Sequence, residues 1–351
     1  MSAPAPRPGI LDISPYVGGE AHAPGVDRLI RLASNEGALG PSPRAMEAYR
    51  QAAAELHRYP DGGSTALRDG LARLYGLDVS RIVCGTGSDE LLGLLTRAYA
   101  GPGDEVLYSA HGFLMYPISA KSVGATPVAA PEKGLKADVD ALLAHVTERT
   151  KILFIANPNN PTGSFLTSDE MRRLHAGLPG HVVLVIDAAY AEYVDRPDYT
   201  AGSELVEEFG NVVMTRTFSK IYALGGLRLG WAYCPPAIAD VLNRVRGPFN
   251  VNSAAQIAGV AAVEDTAFIE ESRRHNEIWR DWLSARLTEL GLEVHPSIAN
   301  FVLVSFANRS SDGNQAAEAA RQFLKARGIL VRQMGGYGLP HCLRMSIGTE
   351  E

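Results

Sequence analysis
The sequence predicts an α/β protein in which a mostly parallel sheet, covered by helices on both faces, is followed by a smaller α+β domain. Three observations carry that expectation. Between about residues 80 and 235, short β-branched runs alternate with helical patterns, and strands apolar along their whole length belong to a sheet buried on both sides. A charged helical stretch over about 267–290, closed by Gly291, separates this region from a second one. The 351 residues, 46% of them hydrophobic, exceed one ordinary core and suffice for two.

Taken in order, residues 1–34 read as an N-terminal arm, 35–247 as the large domain and 248–351 as the small one. The first nine residues are rich in Pro and Ala and lack the apolar stretch of a signal peptide. Large-domain strands are expected at 81–84, 105–108, 151–155, 182–186 and 211–214. Even the most apolar of them, 182–186, is too short to span a bilayer. After 151–155, the run Asn157-Pro158-Asn159-Asn160-Pro161-Thr162-Gly163 must be an extended turn, because a residue preceding proline avoids helical backbone. Thr167-Ser168-Asp169-Glu170 has the form of a capping box and starts a helix running toward Leu178. Strands near 301–304, 329–331 and 342–347 build the small domain.

Composition excludes several classes of function. A net charge of −6 leaves no basic stripe for nucleic acid. Cys84, Cys234 and Cys342 are odd in number and form no CxxC, which points to core packing in a reducing compartment rather than to disulfides. Nine histidines make no HExxH motif or close pair, so no metal site is expected; His111, two residues before Phe113, is the one nearest to the functional residues. A soluble, cytoplasmic protein without membrane contact follows from these features.

The chemistry concentrates in Thr217-Phe218-Ser219-Lys220 and the glycine-broken loop that runs on to Arg228. A lysine after an apolar strand is desolvated, which lowers its pKa and exposes an amine suited to a Schiff base. Thr217, Ser219 and Arg228 offer hydroxyls and a permanent cation to a phosphate dianion. Gly85-Thr86-Gly87-Ser88-Asp89-Glu90 precedes a helix expected over 91–99, where backbone N–H groups and the helix dipole meet an anion. That loop reads as a phosphate cradle, as a dinucleotide turn whose third glycine is replaced by Glu90, or as plain helix capping by Ser88. Asp187 ends the run 182–186 and Tyr190 follows three residues later, so both reach one pocket beyond the carboxyl ends of the strands. A carboxylate there calls for a cation such as a protonated ring nitrogen, and at an effective dielectric of about 20 a close pair is worth about 4 kcal/mol. Asn160 can offer its amide to a phenolate oxygen.

With these segments the chain resembles the fold-type-I pyridoxal-phosphate aminotransferases, and within them the histidinol-phosphate aminotransferases. The likeness also takes in Pro15-Tyr16, Ser34-Asn35-Glu36, Arg58-Tyr59-Pro60-Asp61, Pro248-Phe249-Asn250-Val251, Ala299-Asn300-Phe301 and Leu343-Arg344, and so covers nearly the whole chain. The resemblance implies pyridoxal 5′-phosphate bound through Lys220, with Asp187 on the ring nitrogen, Asn160 and Tyr190 on the ring oxygen and Phe113 against the ring face. It assigns Gly87, Ser88, Asp89, Thr217, Ser219 and Arg228 to the phosphate end, and Tyr59 to the phosphate of a neighbouring subunit, which implies a homodimer. Arg344, assisted by Arg332, Tyr16 and Asn35, is implied for the anionic end of the substrate. The implied reaction exchanges an amino group between histidinol phosphate and 2-oxoglutarate, giving imidazole-acetol phosphate and glutamate in histidine biosynthesis. The alternatives are an aromatic amino-acid aminotransferase, a decarboxylating lyase acting on a phospho-amino acid, and a non-catalytic binding module on the same fold. Phe113 stands where tyrosine is frequent in the family, Ala188 where glutamate is, and a proline is missing after Glu36. The family continues into a final helix beyond the position of Glu351, and truncation of the chain is the expected reason for its end here.

Overall fold
In the computed structural model, which describes residues 4–26, 28–309 and 312–351, two sheets organise the chain. Residues 1–3 of the expected arm lie outside the described residues. The strands in chain order are β1 (Ile30–Leu32), β2 (Ile82–Gly85), β3 (Glu105–Ser109), β4 (Thr126–Ala130), β5 (Glu132–Lys133), β6 (Lys136–Ala137), β7 (Thr150–Ala156), β8 (Val183–Asp187), β9 (Val212–Thr217), β10 (Gly230–Tyr233), β11 (Glu293–His295), β12 (Phe301–Ser305), β13 (Ile329–Met334) and β14 (Leu339–Ser346).

The large sheet has the order β2-β10-β9-β8-β7-β3-β4. It is parallel from β9 to β4, and β10 runs antiparallel to both of its neighbours. Successive side chains along a strand point to opposite faces, and here both faces are dry. Leu153, Ile155, Leu184, Ile186 and Met214 belong to one core cluster, while Ile152, Phe154, Val183, Val185 and Val213 belong to the other. The small sheet, β1-β13-β14-β12-β11, places Val302, Val304, Leu343 and Met345 in a third cluster with partly buried residues of the helices Thr266–Glu289 and Gly313–Lys325.

Local chemistry sets the helix ends. Thr167 and Glu170 exchange both bonds of the capping box, and the helix Ser168–Ala176 stops two residues short of Leu178, which precedes Pro179. The helix after the glycine loop starts at Ser88, a turn earlier than expected, and the Ser88 side chain is not its cap.

Two elements pack across the expected domain limits. β1, expected in the arm, pairs in parallel with β13, Ile30 opposite Ile329. The helix Ser253–Glu264, expected in the small domain, sends Ala255, Ala258 and Ala262 into the large core. A Cβ on Gly259 of that helix would lie 2.6 Å from Leu229 Cδ2, so glycine permits the close approach. We propose Asp265 as the boundary in place of 247/248. No helix of the described residues is long and apolar enough to cross a membrane.

Candidate active site
The carboxyl ends of β7, β8 and β9 bring Ala156, Asp187 and Thr217 to the rim of a cavity of about 300 Å³, which Lys220, Tyr190, Asn160, Phe113, Arg228 and Arg344 also line. Lys220 stands in the loop after β9. Its Nζ donates to the backbone oxygen of Ser34 at 3.2 Å, and Gly37 lets the Ser34 segment pass close to that loop, since a Cβ there would fall 2.9 Å from the Lys220 carbonyl. Burial, aided by the positive charge of Arg344, pulls the Lys220 amine down to about 8, against the opposing pull of Asp89 and Glu36. Near neutral pH a usable fraction is therefore unprotonated.

Asp187 is buried at the end of β8, and both of its oxygens are held by neutral hydroxyls. Tyr116 donates to Oδ2 at 2.9 Å and Thr215 to Oδ1 at 3.3 Å. Burial pushes its carboxyl up to about 6, although the Tyr116 bond opposes the shift. Tyr116 is fixed in turn by stacking on Phe154, ring centroids 4.8 Å apart. A buried acid with hydroxyl partners and no ion pair has room for a cationic ring atom.

Tyr190 accepts a hydrogen bond from Asn35 Nδ2 at 2.9 Å, and Asn35 is anchored through its backbone to Ser346 at 2.8 Å and to the Asn300 side chain at 3.0 Å. Asn160 turns its Oδ1 to Arg344, whose Nη1 donates at 2.5 Å. Because a guanidinium only donates, the Asn160 NH₂ is the end left to face a ligand. The neighbouring Asn159 is buried and spends its amide on Thr162 and the His111 backbone.

At the other end, Gly87, at φ 80°, precedes the helix Ser88–Tyr99. Side chains are excluded from this corner: a Cβ on Gly87 would sit 2.6 Å from Arg228 Nη2, and one on Gly230 would sit 2.3 Å from the Ser88 backbone nitrogen. Arg228 donates to Ser219 Oγ at 3.4 Å and meets Asp89 at 3.4 Å, while Thr217 Oγ1 accepts from the Ser219 backbone at 3.1 Å. Burial raises the Asp89 carboxyl above its ordinary range even beside Arg228.

Arg344 is 4% exposed and stands opposite Arg332 in the β13–β14 register. It donates to the Ala33 backbone oxygen at 2.8 Å, lies over the Phe301 ring at 5.4 Å and, among the described residues, leaves its buried Nε without a hydrogen-bond partner. A buried guanidinium with an unspent donor is suited to an anion. Arg332 donates to the Val17 oxygen at 2.6 Å and lies 5.7 Å from the Tyr16 ring, which meets Phe113 edge-on at 6.4 Å. The arm thus roofs the cavity. Asn35 lines the same cavity beside Tyr190. Tyr59 lies outside it, 84% exposed and stacked on Phe249 at 4.9 Å. His111 does not reach it either, being bound to Glu132 at 2.8 Å. Among the described residues no group of three or more His, Cys, Asp or Glu could hold a metal ion.

Residues 27–351 match the family Aminotransferase class I and II. The histidinol-phosphate aminotransferase of Rhodospirillum centenum is 67% identical over 348 residues, 99% of this chain and 95% of that one. The chain belongs to the histidinol-phosphate aminotransferase family. A second member of the family, from Paramagnetospirillum magneticum, is 65% identical over 351 residues, 100% of this chain and 96% of its own. The crystal structure of the histidinol-phosphate aminotransferase from Sinorhizobium meliloti in complex with pyridoxal-5′-phosphate superposes with a TM-score of 0.91 at 30% identity, over 99% of this chain and 95% of that one.

Within this aminotransferase fold, Tyr116 and Thr215 are the site residues that the sequence reading missed. Thr215 carried a signal, since it lies two residues before Thr217 and shares its face of the strand. Tyr116 carried none: it reaches Asp187 from a helix 71 residues away in sequence.

Proposed function
We propose that this chain transfers the amino group of histidinol phosphate to 2-oxoglutarate on pyridoxal phosphate, giving imidazole-acetol phosphate and glutamate, as a homodimer in the cytoplasm. The observation that carries this reading is a lysine amine lowered to about 8 and an acid held without an ion pair in one cavity. The donor set fits the cofactor. Lys220 would hold it covalently, Asp187 at the ring nitrogen, Asn160 and Tyr190 at the ring oxygen, and Phe113 against the ring face. The phosphate falls to Ser88, Thr217, Ser219, Arg228 and the backbone at Gly87 and Asp89, with Tyr59 added from the other subunit.

When bound, the cofactor supplies an electron sink for charge on the carbon that bears the amino group. Lys220 Nζ, freed when the amine of the substrate displaces it from the cofactor, would take the proton from that carbon. Asp187 would keep positive charge on the ring nitrogen, and the hydroxyls of Tyr116 and Thr215 hold its carboxylate in place. Arg344 and Arg332 bind the phosphate of histidinol phosphate or a carboxylate of glutamate, and Tyr16 covers the substrate and excludes water. A half-reaction assay with histidinol phosphate, tyrosine and phenylalanine at equal concentration tests the substrate, and histidinol phosphate is expected to react fastest. Lys220→Ala should bind the cofactor and give no turnover. Faster reaction with tyrosine, or carbon dioxide release without amino transfer, would replace this reading with one of its rivals.

A further inference from the structure
Four segments meet at one buried charge pair beneath the wall that carries Lys220. Arg216 lies between Thr215 and Thr217 on β9, so strand alternation turns it away from the side those threonines share. Its Nε donates to Glu192 Oε1 at 3.1 Å, its Nη2 lies 2.8 Å from the same oxygen in an ion pair, and the two side chains are 8% and 4% exposed. Arg216 Nη2 also donates to the Tyr75 hydroxyl at 3.3 Å, and that hydroxyl lies 2.9 Å from the hydroxyl of Tyr222. The guanidinium lies against a stacked aromatic pair, 4.6 Å from the Tyr75 ring and 5.6 Å from the Trp231 ring, whose centroids are 5.4 Å apart.

Three members sit beside site residues in sequence. Arg216 precedes Thr217, Glu192 follows Tyr190 by two residues, and Tyr222 follows Lys220 by two. Stability alone is a weak account of such a pair, because desolvation of two charges offsets most of their attraction. Among the described residues, Glu192 Oε2 is moreover buried without a hydrogen-bond partner. The Lys220 loop has no sheet of its own; its internal backbone bonds are short-range, from Leu224 to Phe218 at 2.9 Å, Ala223 to Lys220 at 3.0 Å, Leu227 to Leu224 at 3.0 Å and Arg228 to Gly225 at 3.4 Å. An anchor from outside the loop is needed to hold one amine within a few tenths of an ångström of its working place.

We propose that the Glu192–Arg216 pair, with Tyr75 and Tyr222, positions Lys220 and Tyr190 for amino-group transfer. The proposal rests on the aminotransferase reading and adds four positioning residues to it. Tyr222→Phe removes the hydroxyl that joins the Lys220 loop to the network and changes no charge. Glu192→Gln weakens the pair itself. Two quantities would be measured: kcat and KM for the amino donor, and the pH midpoint for acylation of Lys220 in the full chain freed of cofactor, read by peptide mass spectrometry.

In Tyr222→Phe, kcat is expected to fall about tenfold with KM within about twofold, since displaced catalytic groups lose rate rather than binding. The acylation midpoint should rise toward the ordinary lysine range as the amine gains solvent. A lowered melting temperature with kcat and midpoint both unchanged would overturn the proposal. Should Glu192→Gln fail to fold, Tyr222→Phe decides alone. A wild-type chain that transferred no amino group would fail the underlying reading, whereas the Lys220 midpoint is read without turnover and judges the positioning separately.

Discussion
Asp187 and Lys220 are each held in a place that disfavours their own charge, and the sign of that cost can be measured. The Asp187 carboxyl moves from 3.8 up to about 6 through burial. A raised folded value means that the native chain binds the proton more tightly than the unfolded one. Stability of the cofactor-free chain therefore falls as pH rises from about 4 to 6, and the whole cost is present at pH 7. Asp187→Asn removes it, and the cofactor-free variant should be more stable at pH 7 by about 2 kcal/mol, a gain that vanishes below about pH 4. Urea denaturation at the two pH values checks this. The same variant should slow the half-reaction strongly at saturating cofactor, because a neutral amide no longer holds charge on the ring nitrogen. Equal stability at pH 7 would show that the hydroxyls of Tyr116 and Thr215 fully compensate the carboxylate. Lys220 behaves in the complementary way. Its lowered value makes the native chain bind fewer protons than the unfolded one between about 8 and 10.5, so this residue lets stability rise with pH over that window.

At the scale of elements, the approach of β10 to the helix Ser88–Tyr99 decides whether the phosphate corner exists. Gly230 leaves no room for a methyl group, which would lie 2.3 Å from the Ser88 nitrogen, a backbone atom that cannot swing aside. Gly230→Ala should push the Gly87–Ser88 turn outward and weaken cofactor retention about tenfold or more, while the overall fold survives. Equilibrium dialysis against pyridoxal phosphate measures this, and retention equal to wild type would sink the argument. β10 is also an element that sequence reading left out. Gly230-Trp231-Ala232-Tyr233 is short, opens on glycine and does not alternate, because both of its faces are buried. β4 was hidden for the opposite reason: it is a half-exposed edge strand containing Pro127. The capping box at Thr167 and the long helix closed by Gly291 were legible because their signals are local hydrogen bonds and backbone freedom. Cross-chain matters were not. Nothing near Ile30 announces its pairing with β13, and the helix Ser253–Glu264 is apolar on so many sides that its sequence does not say which core it joins. The cavity followed the same division, with Lys220, Asp187, Tyr190 and Arg228 readable in compact motifs and Tyr116 visible only once the chain had folded.

At the scale of the whole molecule, Tyr59 stands apart from its own chain's cavity. Its ring stacks on Phe249, itself at φ 54°, and both stand on the surface with Leu56 and Ile257 also exposed. An aromatic pair on an apolar patch, outside its own chain's cavity, is suited to burial against a second copy. In the proposed two-fold dimer the exchange would be reciprocal, each chain lending its Tyr59 to the other's phosphate corner. That arrangement has a consequence that an ordinary surface role lacks. Lys220→Ala should abolish turnover in its own subunit, and Tyr59→Ala should weaken the site in the opposite one. In a mixed dimer, one site carries both defects and the other carries neither. After free exchange of equal amounts of the two variants, half of the dimers are mixed and each has one intact site, so the mixture should recover about a quarter of wild-type activity at limiting cofactor. Activity no higher than the mean of the two parent variants after exchange would place Tyr59 in its own subunit's business, and the site would then be complete within one chain.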